Sequence, residues 1–457
     1  MRVLLISSNV CDQPYPVFPL GLAHLDAALR AAGHTTRVHD CTADTQVLEE
    51  VLRGFGPEVV GVSCRNIDDI QYTRRQTFFD APTTVVTAVR RVTRCPVVLG
   101  GSAFSLYPEP LLARSGADYG IHGEGELAFV QLLTALESGA DVADVPGLVY
   151  QRAGRWITNP RQPMDGRAMT AAGRRPELAA WYVQHSSMLN VQTQRGCGFR
   201  CCYCSYPLIE GRHPRRRDPA AVAEELAEIE RLGARHVFIA DSVFNTGNDH
   251  VQAVCEAILH RGVRLKWSCF LRPQGLTAEL MQLMARAGLT HIEFGADSFC
   301  DAVLAEYGKS FSFEEIRQVS HLARAHKVHY AHFLICGGPG ETRATLEETF
   351  AKSQSLPGAV IFGLVGMRIF PGTPLADRAR REGRISAAQD LLEPVYYLSS
   401  ALTEAELLGL LEGFKTRATN WIVGDLPPNW PEFSRKLRER GVTGPLWEYF
   451  RTLRMVG

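Results

Sequence analysis

The chain has 457 residues, of which 46% are hydrophobic and 21% charged, and its formal net charge is zero. This length predicts two or three domains. A neutral chain has no overall field that attracts nucleic acid or an anionic membrane, and no run of about 18 apolar residues is present that could span a bilayer. We therefore expect a globular protein that binds neither nucleic acid nor membrane.

The first 140 residues alternate short apolar segments with segments of helical periodicity. Strands are predicted at 3–7, 59–63 and 97–99, and helices at 20–32, 111–115 and 127–136. This alternation predicts a parallel, doubly wound, Rossmann-like sheet, which binds its ligands at the carboxyl ends of the strands. Glycine-rich turns fall at such ends, at 100–102 and 123–126, but no GxGxxG motif indicates a nicotinamide site.

The sequence of residues 141–185 indicates a connecting segment between two domains. A small hairpin is expected near 145–156, followed by a proline- and arginine-rich connector without periodicity. We place domain boundaries at 140 and at 185.

A cysteine-rich loop dominates the next segment. Cys197, Cys201 and Cys204 follow a C-x3-C-x2-C spacing, directly after an alternating apolar segment. Three thiolates on one loop can wrap a single iron–sulfur cluster and leave one iron open to a ligand. Zinc binding or simple burial of the cysteines is the alternative, although zinc sites usually combine two separated pairs. Cys202 lies outside the spacing and is predicted not to be a ligand.

Repeated strand–helix units follow the cysteine loop as far as residue 380. With the strand before the loop, six strands are predicted, at 188–194, 236–240, 265–271, 291–294, 329–335 and 361–370. Six strands fit a partial parallel barrel, (β/α)6, better than eight-fold closure, and functional residues are expected at the carboxyl ends of its strands.

The C-terminal region, 381–457, is predicted to be helical. Helices are expected at 391–399, 404–418, 433–440 and 446–453. Its aromatic side chains are predicted to pack in the core; if any of them line a site, this region would close the open side of the barrel and select the substrate.

The cysteine loop, with the aromatic Tyr203 before its third cysteine, resembles that of the radical S-adenosylmethionine (SAM) enzymes. The resemblance implies that the three cysteines hold a 4Fe-4S cluster whose open iron binds SAM. The residues that it implies for SAM binding are Tyr203, Asp241, Ser242, Arg272, Glu293, Asp297, Ser298, Ile335, Gly337 and Gly338. One departure is Asp297, which stands where the family has a glutamate and is shorter by a methylene group.

Residues 1–140 resemble the cobalamin-binding domain that precedes many radical SAM cores. The residues implied for cobalamin binding are Asn9, Pro19, Leu20, Gly21, Ser63, Gly100, Gly101, Ser102, Gly123, Glu124, Gly125 and Glu126. The Asp-x-His-x-x-Gly motif of the wider cobalamin-binding pattern is absent, so the resemblance implies binding without a histidine ligand. His24, His34, His39 and His122 are accordingly predicted to be surface or packing residues.

The resemblance implies a cobalamin-dependent radical SAM methyltransferase that acts on an unactivated carbon of a small molecule, through a 5′-deoxyadenosyl radical and methylcobalamin. A radical rearrangement, cyclisation or ring contraction without methyl transfer is the first alternative. The second is a methylthiotransferase, in which cysteines 11, 41, 64 and 95 would hold a second cluster.

The expected partners are a small-molecule substrate and a reducing protein such as flavodoxin or ferredoxin. The sequence opens without the apolar stretch and cleavage site of a signal peptide, and a thiolate-bound cluster needs a reducing compartment. We therefore expect a cytoplasmic protein; the sequence does not indicate its oligomeric state.

Overall fold

The computed structural model describes residues 1–451 and contains two seven-stranded sheets. The first sheet holds β1 (Arg2–Ser7), β2 (Thr35–Asp40), β3 (Val59–Ser63), β4 (Val97–Gly100), β5 (Tyr119–Ile121), β6 (Leu148–Arg152) and β7 (Arg155–Thr158). Its helices are α1 (Leu20–Ala31), α2 (Leu48–Phe55), α3 (Ala81–Val92), α4 (Ser102–Leu106), α5 (Pro108–Ser115) and α6 (Glu126–Ser138).

The order of this sheet is β2-β1-β3-β4-β5-β6-β7, with parallel pairing from β2 to β5. The doubly wound prediction is therefore confirmed, and so are the strands and helices predicted for it. The sequence analysis missed β2, β5, α2, α3 and α4. Strand β2 is a sheet edge whose sequence, Thr-Thr-Arg-Val-His-Asp, is too polar to give a strand pattern.

The predicted hairpin forms as β6 and β7, and β6 pairs antiparallel with β5. The first sheet thus continues past residue 140 to Thr158, because the edge of β5 offers unpaired backbone groups that the hairpin satisfies.

The remaining strands build the second sheet and two short ribbons. They are β8 (Leu189–Val191), β9 (Gln194–Arg195), β10 (Arg215–Arg216), β11 (His236–Ile239), β12 (Lys266–Leu271), β13 (Leu289–Asp297), β14 (His329–Cys336), β15 (Val360–Val365), β16 (Met367–Arg368), β17 (Tyr396–Tyr397) and β18 (Trp421–Val423). The second sheet has the order β8-β11-β12-β13-β14-β15-β18, and every pairing in it is parallel.

Helices cover this sheet and connect its strands. They are α7 (Pro176–Ser186), α8 (Tyr206–Glu210), α9 (Pro219–Arg231), α10 (Asn248–Arg261), α11 (Ala278–Arg286), α12 (Asp301–Glu306), α13 (Phe313–Ala325), α14 (Arg343–Ser353), α15 (Pro374–Arg381), α16 (Glu404–Arg417) and α17 (Trp430–Glu439), with 3-10 turns at Gly166–Ala168 and Trp447–Tyr449. The six predicted strands of an open parallel barrel are confirmed. A seventh strand, β18, comes from the C-terminal region.

The C-terminal region is only partly helical. The helix predicted at 404–418 forms as α16, and the one at 433–440 starts earlier, as α17. The helix predicted at 391–399 is wrong: Leu391 has a left-handed backbone, with φ of 62°, and Pro394 has no N–H to donate. Within the predicted helix at 446–453 the structure shows the 3-10 turn, and residues 452 and 453 lie outside the described residues.

Aromatic and aliphatic side chains of this region pack against the second sheet. Trp430, Leu446, Trp447 and Phe450 form one buried cluster with Ala331 of β14 and Val360 of β15. These aromatic side chains therefore pack in the core, as predicted.

Buried polar contacts join the two sheets into one body. The Arg368 guanidinium contacts the Asp68 carboxylate at 2.9 Å, with both side chains at most 2% exposed. Asn190 on β8 donates to the carbonyl of Phe18, and Tyr182 on α7 donates to Asp40. No helix in the described part of the chain is long and apolar enough to cross a bilayer.

Candidate active site

A cavity of about 500 Å3 lies between the two sheets. Its lining includes every residue that the resemblance assigned to cobalamin: Asn9, Pro19, Leu20, Gly21, Ser63, Gly100, Gly101, Ser102, Gly123, Glu124, Gly125 and Glu126. Strand ends on the barrel side complete the wall, with Asn190, Phe238, Phe270 and Glu293. These widely separated segments meet because the carboxyl ends of both parallel sheets face the same space.

The loops after β3 and β4 touch at Gly101. Its φ is +100°, and a Cβ atom there would lie 2.5 Å from the carbonyl oxygen of Cys64. Only glycine allows this approach, which also lets the Ser102 hydroxyl donate to the carbonyl of Arg65 at 2.8 Å. The glycine requirement seen in the sequence thus has a packing cause.

The same wall is open toward the cavity. A Cβ atom on Gly21 would meet no atom within 4 Å, and one on Gly100 would meet none nearer than 3.9 Å. Small residues, hydroxyls and backbone acceptors around a wide space suit a flat cofactor whose edge carries amide donors. The residues present therefore fit cobalamin.

The other candidate ligands of the first domain lie elsewhere. Cysteines 11, 41, 64 and 95 are absent from the residues that line the cavity, and Cys95 precedes β4 whereas Cys64 follows β3. Cys64 and Cys95 therefore lie at opposite ends of the sheet. Of the four histidines considered in the sequence analysis, His24 lines the cavity. Burial lowers the pKa of His24 to about 4.

The cysteine loop follows β9 and is held by backbone contacts. The Cys197 amide donates to the carbonyl of Gly211, and the Cys202 amide donates to that of Tyr307. The Cys202 sulfur lies 3.9 Å from the sulfur of Met367 and so faces the protein core. Helix α8 begins two residues after Cys204 and lines the cavity, so the loop and the cavity are neighbours.

The electrostatics around the loop fit an anionic cluster. All three cysteines are free thiols, and burial raises the pKa of Cys204 to about 12. Cys201 interacts electrostatically with Arg272 and Lys309. Two buried cations beside three thiolates would offset the negative charge of a reduced cluster. Among residues 1–451, no three His, Cys, Asp or Glu side chains gather as ligands of a single metal ion.

Arg272 and Asp297 lie beside this loop. The Arg272 guanidinium carbon is 3.4 Å from the centre of the Phe199 ring, and its Nε atom is buried without a hydrogen-bond partner. Asp297 accepts a hydrogen bond from the Tyr203 hydroxyl at 2.5 Å and pairs with Lys309 at 2.5 Å. Sequence analysis missed Lys309, because it sits in a loop after α12 and not at a strand end.

Asp241 and Ser242 use their side chains within the protein. The Asp241 carboxylate accepts hydrogen bonds from the backbone and hydroxyl of Thr193 and from the Gln194 amide, which tie β11 to β9. Burial raises the pKa of Asp241 to about 7. The Ser242 hydroxyl donates to Glu210 at 2.6 Å. The backbone groups of Asp241 and Ser242 are therefore the atoms of these two residues that are suited to bind a ligand.

The other residues implied for SAM binding order the ends of β13 and β14. The Ser298 hydroxyl contacts that of Thr349, and the carbonyl of Ile335 accepts from Tyr307. A Cβ atom on Gly338 would lie 2.2 Å from the Tyr307 hydroxyl. The Gly337 amide donates to Glu341, whose pKa burial raises to about 8.

Glu293 differs from these residues because it lines the cavity. Its Oε1 atom accepts a hydrogen bond from the Trp447 indole at 3.0 Å, and burial raises its pKa to about 7. Trp447 belongs to the C-terminal region, so that region holds one residue of the cavity wall in place.

An ion network between the domains was also missed. Arg195, two residues before Cys197, lies 2.6 Å from Glu126 and 3.3 Å from Glu124. Glu124 also pairs with Arg215 at 2.8 Å. Arg215 and Arg217, in the basic segment after the cysteine loop, pair with the carboxylates of Glu124 and Glu225. In the sequence these residues are recognisable only by their charge. Charge alone does not identify a partner that lies so far away along the chain.

Comparison with known proteins adds to this geometry. Residues 191–352 match the family model described as Radical SAM superfamily, and residues 10–133 match that of the B12 binding domain. The first match covers the barrel strands as far as β14, and the second covers most of the first sheet. The predicted order of a B12-binding domain followed by a radical SAM barrel is confirmed.

Individual proteins are similar over most of the chain. Tryptophan 2-C-methyltransferase of Streptomyces laurentii is 26% identical over 442 residues, which cover 82% of this chain and 74% of that protein. Anaerobic magnesium-protoporphyrin IX monomethyl ester cyclase of Rubrivivax gelatinosus is 26% identical, covering 78% of this chain and 66% of that protein.

Among solved structures, the fold matches a radical S-adenosylmethionine methyltransferase, TsrM of Kitasatospora setae, with cobalamin and a 4Fe-4S cluster bound. The TM-score is 0.87 at 23% identity, over 100% of this chain and 98% of that one. The likeness extends through the C-terminal region, which the two family models do not cover.

Proposed function

We propose that this chain, which belongs to the radical SAM enzymes with a B12-binding domain, is a methyltransferase acting on a carbon atom of a small molecule. One observation carries the proposal: the residues assigned to cobalamin and the interior of the barrel line a single cavity of about 500 Å3, next to the cysteine loop. A methyl carrier and a substrate must share one space for methyl transfer, since the reacting atoms have to approach within about 3.5 Å.

Each part of the site has a task in this reaction. Cys197, Cys201 and Cys204 would hold the cluster, and the backbone at 241–242 and 337–338 would receive SAM. The cofactors, when bound, supply the electron, the methyl group and its carrier. Tyr203 and Lys309 fix the Asp297 carboxylate, which is suited to a hydroxyl-bearing ligand group.

The barrel half of the cavity would receive the substrate. Its wall includes Phe238 and Phe270, whose ring centres are 5.0 Å apart, and Glu293, which accepts a hydrogen bond from Trp447. Aromatic side chains on this wall limit the contact of a reactive radical with water and so protect it from side reactions.

Cyclisation or another rearrangement without methyl transfer is the second candidate. The similarity to the anaerobic cyclase favours it, at 26% identity over 78% of the chain. Both reactions would use the same cofactors and the same cavity, so a methylated product separates them. The methylthiotransferase alternative is less well supported, because the B12-binding match spans residues 10–133.

We also propose that the protein works in the cytoplasm and receives electrons from a flavodoxin or ferredoxin. Twelve cysteines without a disulfide among the described residues suit a reducing compartment. The exposed Arg200 within the cysteine loop would face an acidic carrier protein.

The test is to purify the protein without oxygen from cobalamin-fed cells and to measure corrinoid and iron. We expect about one corrinoid and about four iron atoms per chain. Reduced protein given methyl-labelled SAM should transfer the label to the bound corrinoid and release S-adenosylhomocysteine. About eight iron atoms without corrinoid would contradict the proposal, as would corrinoid that never takes up the label.

A further inference from the structure

The carboxylates that line the cavity differ in their partners. Glu124 and Glu126 pair with Arg195. Glu210 accepts hydrogen bonds from the side chains of Gln192 and Ser242 and from a backbone amide. Glu293 has no cation within reach in the described part of the chain, although its side chain lies on the same wall.

Glu293 is strongly buried. The residue is 6% exposed, and its only hydrogen bond within residues 1–451 is the one that Oε1 accepts from Trp447. Glu293 lines the cavity, and its Oε2 atom accepts no hydrogen bond within residues 1–451. A carboxylate buried with one donor and no cation is costly, and such groups in clefts mark functional sites.

The neighbours of Glu293 are aromatic. Phe270 on β12 is its direct partner in the sheet register, and Phe238 contacts Phe270 edge to face. The titratable groups that face Glu293 are Tyr15, from the loop after β1, and Cys269 on β12, and burial raises the pKa of both. Tyr15 also interacts electrostatically with Arg65 and Arg438, but within the described residues neither arginine forms an ion pair with Glu293. The slot therefore combines aromatic walls with one carboxylate that has no cationic partner among residues 1–451.

We propose that Glu293 is the substrate-recognition residue and that the substrate is an aromatic amine, whose ring lies against Phe238 and Phe270 while its ammonium group binds Oε2. This inference rests on the proposed function, because it assigns the barrel half of the cavity to the substrate. It differs from the SAM-binding role that the sequence motif implied for Glu293. Trp447 acts as a positioning residue, since its indole N–H fixes the carboxylate.

Arg65 provides the contrasting case. It lines the cavity from the loop after β3, and no acidic partner for it occurs in the described residues. If Arg65 selected the substrate, a carboxylate ligand would bind best. The two hypotheses therefore predict opposite charge preferences for ligands of one shape.

The experiment uses three probes of nearly equal shape: 2-phenylethylamine, 2-phenylethanol and 3-phenylpropionate. Equilibrium dialysis measures their binding to the holoenzyme, loaded with cluster and cobalamin and saturated with S-adenosylhomocysteine. We expect the amine to bind about tenfold more tightly than the alcohol, because a charge-assisted hydrogen bond is lost with the alcohol. The carboxylate should bind most weakly.

The dependence on pH follows from the state of Glu293. Its pKa of about 7 means that the carboxylate charges as the pH rises, so the amine should bind more tightly at about pH 8 than at about pH 6. Glu293→Gln is nearly isosteric and should abolish both the amine preference and the pH dependence, with unchanged corrinoid and iron contents. Trp447→Phe removes the donor and should shift the pH midpoint upward, which a purely structural role would not do.

Four results would overturn the inference. They are equal binding of alcohol and amine, tighter binding of the carboxylate, an amine preference that survives Glu293→Gln, and no saturable binding of the amine up to about 10 mM. Loss of corrinoid in Glu293→Gln would instead assign the carboxylate to the cofactor. Failure of the proposed function itself is distinguishable, since it appears as missing corrinoid or missing label transfer in the unsubstituted protein.

Discussion

Arg195 ties the first domain to the strand that leads into the cysteine loop, and its removal should strongly destabilise the protein. Its side chain is 8% exposed and contacts Glu126 at 2.6 Å, whose side chain is 10% exposed. Arg195→Met would leave the Glu126 carboxylate buried without a cation, whereas Glu124 would keep its ion pair with Arg215. Breaking a buried ion pair from one side costs about 3–5 kcal/mol.

The pKa of Glu126 gives a second measure of the same interaction. Burial alone would raise this pKa, but Arg195 lowers it from 4.5 to about 2. A difference of that size corresponds to about 3 kcal/mol, present above pH 4.5 and lost as the pH falls toward 2. The difference in stability between the unsubstituted protein and Arg195→Met should therefore shrink as the pH falls through this range.

Urea unfolding of the holoenzyme, followed by tryptophan fluorescence, measures the loss. Arg317→Met is the matched control, since Arg317 and Glu314 are 42% and 53% exposed; its effect should stay below about 1 kcal/mol. Adding Glu126→Gln to Arg195→Met should restore part of the stability, because Glu126 then carries no unpaired charge and Glu124 keeps Arg215. The reasoning is refuted if Arg195→Met costs less than about 1 kcal/mol, or if the double variant is less stable than Arg195→Met.

Three further predictions concern the cysteine loop, the cofactor wall and pH. Cys201→Ala should abolish bound iron and 5′-deoxyadenosine formation, whereas Cys202→Ala should keep both; the opposite pattern would show a different ligand set. Gly101→Ala should lower corrinoid content about tenfold, because its Cβ atom would lie 2.5 Å from a carbonyl oxygen at a φ of +100°, and equal retention would contradict this. Because burial raises the pKa of Glu341 to about 8, the free energy of unfolding should fall as the pH rises from 4.5 to about 8, by up to about 1.4 kcal/mol per pH unit. In Glu341→Gln the urea midpoint should lack the part of its pH dependence that comes from this carboxyl group.

Much of the fold follows from local sequence patterns. The six barrel strands are short apolar runs that end in glycine or polar turns, and such runs are recognisable without knowledge of their partners. The prediction of secondary structure failed where contacts with a distant segment determine the backbone conformation. The segment at 391–399 has helical periodicity, yet Tyr396 and Tyr397 pair with Met367 and Arg368 as a two-stranded ribbon.

The residues of the candidate site also fall into those that local sequence predicts and those that depend on tertiary contacts. The sequence by itself determined the three cysteines on one loop and the glycines that bring two loops together, because spacing and backbone conformation are local properties. Only the tertiary structure decided that Arg195 meets Glu126, 69 residues away, and that Trp447 reaches Glu293, 154 residues away. Charge and aromatic character are visible in a sequence, but the partner of a buried charge is set by which strand ends and tail residues enclose the same cavity.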